Sequence, residues 1–291
     1  MNEALKEKED LKKEDLEVKE TEQKLPQLTT HQAGQLATFR KYLPLLTNLA
    51  GRDFKLKYRR SVLGVAWSIL NPLLMMLVLT QVFGLLLKIK VENFPVYYIV
   101  GSSLWTFFSE ATQLSMTSVI NSAQLIKKVY IPKYIFPLEK CLFALENFLF
   151  SLIAVVLVML FQRFVPSITT LLFFIPVLYV LVFSIGIGLA LSAMTVYFRD
   201  VMHLYGIVLT IWMYITPILY PVEVVKDNAF IYAVVSHNPM TYYVTYFRDL
   251  LMYNTIPGLR YNLICVGWAL LALVIGGLIF HKAQNKFILH L

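Results

Sequence analysis

Between residues 62 and 281 the chain runs repeatedly for roughly 20 residues with few or no charges, the length a helix needs to cross a hydrocarbon core of about 30 Å. In lipid, every backbone N–H and C=O must find its partner inside the protein, so such segments fold as helices. Hydrophobic residues make up 58% of the 291 positions and charged residues only 15%, against about 25% in soluble domains. That leaves too little polar surface to coat a water-soluble fold, and an all-α integral membrane protein is expected.

Six spans are expected, at about 62–87, 96–119, 136–161, 168–196, 203–220 and 261–281. Asn71-Pro72 predicts a kink in the first, and Thr216-Pro217 a break near the end of the fifth. Between spans five and six lie two apolar pieces, Ala229–Val235 and Met240–Tyr253, separated by His237-Asn238-Pro239. Each is too short to cross, so two short re-entrant helices are expected. Ahead of the first span, Tyr42, Leu45, Leu46 and Leu49 share one face of a helix that Pro44 is suited to start. The stretch 52–60 then carries five basic residues, which predicts an amphipathic helix in the interface, its aromatics in lipid and its cations at headgroups. The chain therefore divides into a charged, disordered tail (1–30), an interface-helix region (31–61), a six-span domain (62–281) and a short tail (282–291).

The net charge of +8 is unevenly placed. Residues 1–24 hold six lysines against nine acids, and the remainder is strongly basic. The excess lies mostly in short loops beside apolar spans, as expected of cytoplasmic loops, so no nucleic-acid partner is expected. With both termini inside, cytoplasmic flanks hold twelve Lys and Arg against six outside, Lys88, Lys90, Arg163, Lys226, Arg248 and Arg260. That asymmetry sets the expected orientation in the cell's inner membrane. No apolar core precedes residue 40, so the spans themselves are expected to direct insertion. Cys141 and Cys265 sit in apolar segments without metal-ligand spacing, so buried thiols and no metal site are expected.

The second span is unusually polar, with Ser102, Ser103, Thr106, Ser109, Glu110, Thr112, Gln113 and Ser115. Such a helix either lines a wet path or is glued to neighbours through its hydroxyls. Ser102, Trp105, Thr106, Ser109, Glu110 and Gln113 are candidates for a translocation path. Glu110 and Glu146 are intramembrane acids, for which pairing with a base or a hydrogen-bonded role is favoured over catalysis. Ser184, Gly188 and Ser192 form a small-residue stripe for helix packing. Trp67, Tyr220, Tyr242, Tyr243 and Tyr246 belong to an aromatic set that reads either as the ordinary interfacial belt or as a surface on which sugar rings slide. No G-x-x-x-x-G-K-[ST], G-x-S-x-G or H-E-x-x-H motif occurs, so no enzyme chemistry and no nucleotide site of P-loop type are expected in this chain.

The run Arg59-Arg60-Ser61-Val62-Leu63-Gly64-Val65-Ala66-Trp67-Ser68-Ile69-Leu70-Asn71-Pro72-Leu73 resembles the membrane subunits of polysaccharide and polyol-phosphate ABC exporters, which export O-antigens, capsules and teichoic acids. Leu125–Lys133, Tyr197–Val201, Thr216–Pro221 and Asn238-Pro239 extend the likeness in order and spacing over roughly residues 36–285. The resemblance implies a homodimer with a central channel and two copies of a separate nucleotide-binding ATPase, which binds ATP and Mg. It implies export of a lipid-linked glycan. It also implies docking of the ATPase on the interface helix, with Arg52 and Asp53, and on a first cytoplasmic loop with Lys127, Lys128, Tyr130, Pro132 and Lys133. Arg199 and Asp200 would form a smaller second contact. Two alternatives stand beside this: an exporter of the same fold for small lipids or drugs, and an integral-membrane glycosyltransferase.

Overall fold

The computed structural model describes residues 35–58, 61–83, 91, 93–129, 131–164 and 167–290. The expected tail 1–30, the Arg59-Arg60 pair, Lys88, Lys90 and Tyr130 lie outside the described residues. The chain forms two compact units, 1–43 and 44–291. Of the first, residues 35–43 are described, as the opening turns of helix α1 (Gln35–Tyr58). Pro44 does not start this helix but lies within it, on an exposed side where solvent can meet the carbonyl that proline leaves without a donor. In the second unit α1 turns Leu46 and Ala50 inward, each 1% exposed.

Among the described residues every regular element is helical. The first expected span holds helix α2 (Ala66–Val82), which runs through Pro72; its expected residues 84–87 lie outside the described residues. It starts late because Gly64 takes a φ of +48°, in the left-handed region that ends a regular helix. Helix α3 (Phe94–Asn121) follows a left-handed Asn93 and has a proline in its first turn. A six-residue helix, α4 (Ala123–Lys128), leads to α5 (Ile135–Phe161). A 3-10 turn (Ile168–Phe173) then opens α6 (Phe174–Tyr197). Helix α7 (Val201–Ile215) stops short of the expected residue 220. Pro217 disfavours helical geometry at Thr216, whose ψ is 131°. Helices α8 (Ala229–His237) and α9 (Pro239–Leu251) are each capped by an asparagine, Asn228 and Asn238, whose side-chain oxygens accept backbone N–H bonds. Helix α10 (Leu259–Ala283) continues through a 3-10 turn (Gln284–Lys286) into α11 (Phe287–His290).

Among the described residues three helical stretches are long and apolar enough to cross a membrane, Ile135–Phe161, Ile168–Tyr197 and Leu259–Lys286. Helices α2 and α7 are apolar but shorter. Helix α3 has the length, 28 residues, and a much more polar sequence. It sits at the centre, packed along α5 and α6, while α10 covers the far side of α6 and α2 leans on α5. The inner faces of α3, Val96, Ile99, Leu104, Phe108 and Ala111 among them, are sealed from solvent.

Close helix approach rests on small residues within the chain. A Cβ on Gly188 would stand 2.7 Å from Ser115 Cβ, so the Ser184–Gly188–Ser192 stripe fits α6 against α3. A Cβ on Gly276 would stand 1.8 Å from the Gly186 carbonyl oxygen, so α6 and α10 cross backbone to backbone there. Gly276→Val should therefore cost about 1–3 kcal/mol or more through forced separation of the two helices. The check is the thermal unfolding midpoint of the purified protein in detergent. Gly267→Val, where a Cβ meets open space, should leave the midpoint near its starting value; equal loss in both variants would refute the close crossing.

Candidate functional site: a polar groove along the central helix

The hydroxyls of α3 divide by face. Thr112 and Ser118 are sealed and donate to carbonyls of their own helix, at 2.9 and 2.7 Å. Ser115 reaches across to the Pro137 carbonyl on α5 at 2.9 Å and touches Cys141 Sγ at 3.2 Å. Ser115, and Thr112 by accepting the Tyr205 hydroxyl of α7 at 2.8 Å, tie α3 to its neighbours. Ser102, Thr106, Ser109, Glu110 and Gln113 instead form a stripe that is half-buried or exposed, since residues three and four apart share a helix face.

Part of that stripe lines a cavity of about 310 Å³. Ser102, Ser103, Thr106 and Glu110 form its wall on α3; Trp67, Ser68 and Asn71 enter from α2, Asn147 and Ser151 from α5, and Lys57 from α1. Hydroxyl, amide and charged groups thus meet the apolar faces of Trp67, Tyr98, Phe107 and Phe148. A lining that combines donors, acceptors and aromatic side chains suits a ligand with hydroxyls on its rim and C–H faces above and below.

Glu110 is the acid of this groove and is partnered through one oxygen. Lys57 Nζ donates to its Oε1 at 2.9 Å, and Asn147 Nδ2 donates to the same oxygen at 2.9 Å. Lys57 also lies 5.4 Å from the Phe143 ring. One turn earlier on α1, Asp53 takes the ammonium of Lys140 and the guanidinium of Arg52, the latter at 3.1 Å. Lys140 in turn pairs with Glu139 at 3.1 Å. Burial pushes the Asp53 carboxyl upward, but the hydrogen bond and charge of Lys140, with Arg52 beside it, outweigh this and hold it below its ordinary value. Phe54 stacks on Phe150 between the two contacts, ring centroids 5.0 Å apart. The face of α1 at 53, 54 and 57 is therefore pinned by an acid-to-base pair, a ring stack and a base-to-acid pair. Glu146 lies half-buried on α5 and does not line the groove.

The N-terminal end of α3 meets a second constellation that sequence reasoning missed. Arg248 on α9 is 3% exposed, and its guanidinium carbon lies 3.4 Å from the Tyr97 ring centroid. Its nitrogens donate to the Pro217 carbonyl at 2.6 Å, the Ile218 carbonyl at 3.2 Å and the Tyr97 carbonyl at 3.0 and 3.2 Å. The Tyr97 hydroxyl closes the ring by donating to the Tyr220 carbonyl at 2.9 Å. A proline break leaves carbonyls without helical donors, and a five-donor fork collects them. Gly101 makes room, because a Cβ there would stand 2.3 Å from Arg248 Nη2. Asn238 completes the seam by donating to Thr216 Oγ1 at 2.9 Å and accepting from Trp212 Nε1 at 2.7 Å.

The sequence-predicted path residues therefore separate. Trp67, Ser102, Thr106 and Glu110 share the groove. Ser109 and Gln113 continue its stripe without lining the cavity. Trp105 is buried against Phe108 and Trp212, centroids 5.6 and 6.3 Å away. Tyr243 and Tyr246 are buried as well, their hydroxyls donating to the Cys265 carbonyl at 3.0 Å and to Asn262 Oδ1 at 2.9 Å. Tyr242 is half-buried under Tyr261, centroids 5.3 Å apart, and Tyr220 donates to the Tyr214 carbonyl at 2.8 Å.

The predicted docking residues separate too. Lys127 and Lys128 are exposed on the last turn of α4. Arg199 and Asp200 are exposed between α6 and α7. Arg52 is exposed, whereas Asp53, Pro132 and Lys133 are half-buried. Burial lowers the ammonium of Lys133 from its ordinary value.

A family model described as ABC-2 type transporter matches residues 44–252, a stretch that begins within α1 and ends just after α9. The O-antigen export system permease protein RfbA of Myxococcus xanthus is 29% identical over 248 residues, covering 85% of this chain and 95% of that protein. A protein of the same description from Klebsiella pneumoniae is 28% identical over 245 residues, covering 84% and 93% respectively. With most of its length matched and several helices apolar enough to lie in a bilayer, the chain belongs to the ABC-2 type transporter family of multi-pass membrane proteins.

Proposed function

We propose that this chain is the membrane subunit of an ATP-driven exporter that carries a lipid-linked polysaccharide out of the cytoplasm. The observation that carries the reading is the groove along α3. Hydroxyls and amides share the lining there with aromatic side chains and one partnered carboxylate, a lining suited to sugar rings. The names of its relatives, O-antigen export permeases, support the same substrate class. In this reading α2, α3, α5, α6, α7 and α10 are six spans, α8 and α9 are re-entrant, and both termini face the cytoplasm of a cell whose inner membrane holds the protein. Two copies form the channel. Helix α7, with only Tyr205 and Leu209 buried, and α8, with only Val235 buried, offer the apolar surface for the second copy. ATP and Mg bind two copies of a separate ATPase, and this chain performs no covalent chemistry.

Closure of the ATPases would move α1 and α4 as rigid levers. Because α1 is pinned at Asp53 and Lys57, its motion reaches the groove through Glu110. The test is purification of the chain with the ATPase encoded beside it, followed by export of lipid-linked glycan from membrane vesicles. Lys127→Ala with Lys128→Ala should weaken ATPase association by roughly tenfold, about 1.4 kcal/mol, as two solvent-facing charges leave a docking rim. A chain that moves glycan with no ATPase bound would sink the proposal.

A further inference from the structure

The resemblance groups Lys133 with Lys127 and Lys128 as a docking charge, yet its ammonium is turned inward. It donates to the Gln284 carbonyl at 2.6 Å and lies 5.6 Å from the Phe287 ring. That carbonyl sits at the C-terminal end of α10, where a helix leaves acceptors without partners and carries partial negative charge. The neighbouring Ala283 carbonyl accepts the Tyr197 hydroxyl at 2.8 Å, and the Tyr197 ring stands 4.7 Å from that of His290. Phe287 is completely buried. It shares one apolar cluster with Ile126 of α4, Phe136 at the start of α5, and Val196 near the end of α6.

Helix α4 has six residues and a single buried side chain, Ile126. A helix that short does not hold its own geometry in water, so its orientation is set by what it packs on. Ile126 joins the apolar cluster that holds Phe287, and Lys133, five residues past the helix, bonds the Gln284 carbonyl.

We propose that segment 284–290 is a strut that fixes α4 and the loop after it, and that coupling of ATP hydrolysis to export depends on it. Phe287 seats the strut, and Lys133 and Tyr197 are positioning residues that tie it to the two loops. Lys127 and Lys128 face outward and make the contact itself. This assignment rests on the exporter reading for its consequence but not for its geometry.

The experiment has two arms on the full chain. In the first, hydrogen exchange of amides 123–134 is followed in the purified chain alone. In the second, the chain is reconstituted with its ATPase and the glycan exported per ATP hydrolysed is measured. Lys133→Met and Phe287→Ala should speed exchange in 123–134 and cut export per ATP by ~5-fold or more while the ATPase still co-purifies. Lys133→Arg, which keeps a cationic donor at the Gln284 carbonyl, should stay close to the unaltered chain. Unchanged exchange in both Lys133→Met and Phe287→Ala overturns the strut, as does an arginine variant as defective as the methionine one. If no ATPase associates with the unaltered chain, the exporter reading fails. Faster exchange in the first arm still supports the strut in that case.

Discussion

Arg248→Met is expected to be among the most damaging single substitutions in the chain, at about 3 kcal/mol or more. The guanidinium satisfies the carbonyls of Tyr97, Pro217 and Ile218, and all of them lose a donor at once. An unsatisfied acceptor buried away from water costs about 1–3 kcal/mol, and water cannot replace a side chain this enclosed without opening the seam between α3, α7 and α9. Arg248→Lys should rescue little. An ammonium is a point charge on a flexible stem, without the planar fork that reaches carbonyls on two segments and stacks on Tyr97. Gly101→Ala should fail for the same reason, its methyl group displacing the guanidinium. The measurement is the thermal unfolding midpoint in detergent together with the yield of membrane-inserted protein. A lysine variant as stable as the arginine chain would show that charge, not geometry, holds the seam.

The second large effect is expected at the latch between α1 and the groove. Lys57→Glu places two carboxylates where a 2.9 Å ion pair stood, and Glu110→Lys places two ammonium groups there. The side chains are 41% and 24% exposed, so removing the attraction alone costs little, about 1 kcal/mol or less. Like-charge repulsion adds to that, at about 1–4 kcal/mol for a separation near 4 Å between water-like and protein-surface screening. Each single reversal should cut glycan export roughly tenfold while leaving the protein folded. The double reversal, Lys57→Glu with Glu110→Lys, should recover most of it, since the pair is restored with its sign exchanged. Asn147 sets the limit of that recovery: its amide donates to Glu110 and would have to turn over to accept from a lysine. Two defects that simply add in the double variant would mean that the residues act separately and that α1 does not reach the groove through this contact.

Much of the fold can be read along the chain, because the length of an apolar run and the place of a proline are local properties. The apolar runs 136–161, 168–196 and 261–281 mark helices that the structure extends by a residue or two. Thr216-Pro217 marks where α7 stops, and Asn238-Pro239 the capped start of α9. The polar second span is conspicuous for the same reason. Pro44 misleads, since a proline on an exposed helix face can be carried where solvent covers the missing bond.

What the chain order cannot convey is which groups meet. The polar side chains of α3 between 102 and 115 look alike in sequence, and only the packing of neighbouring helices against one face turns Thr112 and Ser115 into helix contacts and leaves Ser102, Thr106 and Glu110 to a groove. Trp105, Tyr243 and Tyr246 read as surface aromatics until the tertiary structure buries them. Glu110 finds Lys57 across 53 positions, and Arg248 finds Tyr97 across 151. Arg248 counts as an ordinary loop cation until three helical ends close over it. Hydropathy and helix punctuation belong to single segments, so the helices and their apolar lengths are legible along the chain. The partner of a buried charge depends on which helices cross and at what angle, so where the chain's charges are held and where its groove opens follows from helix packing alone.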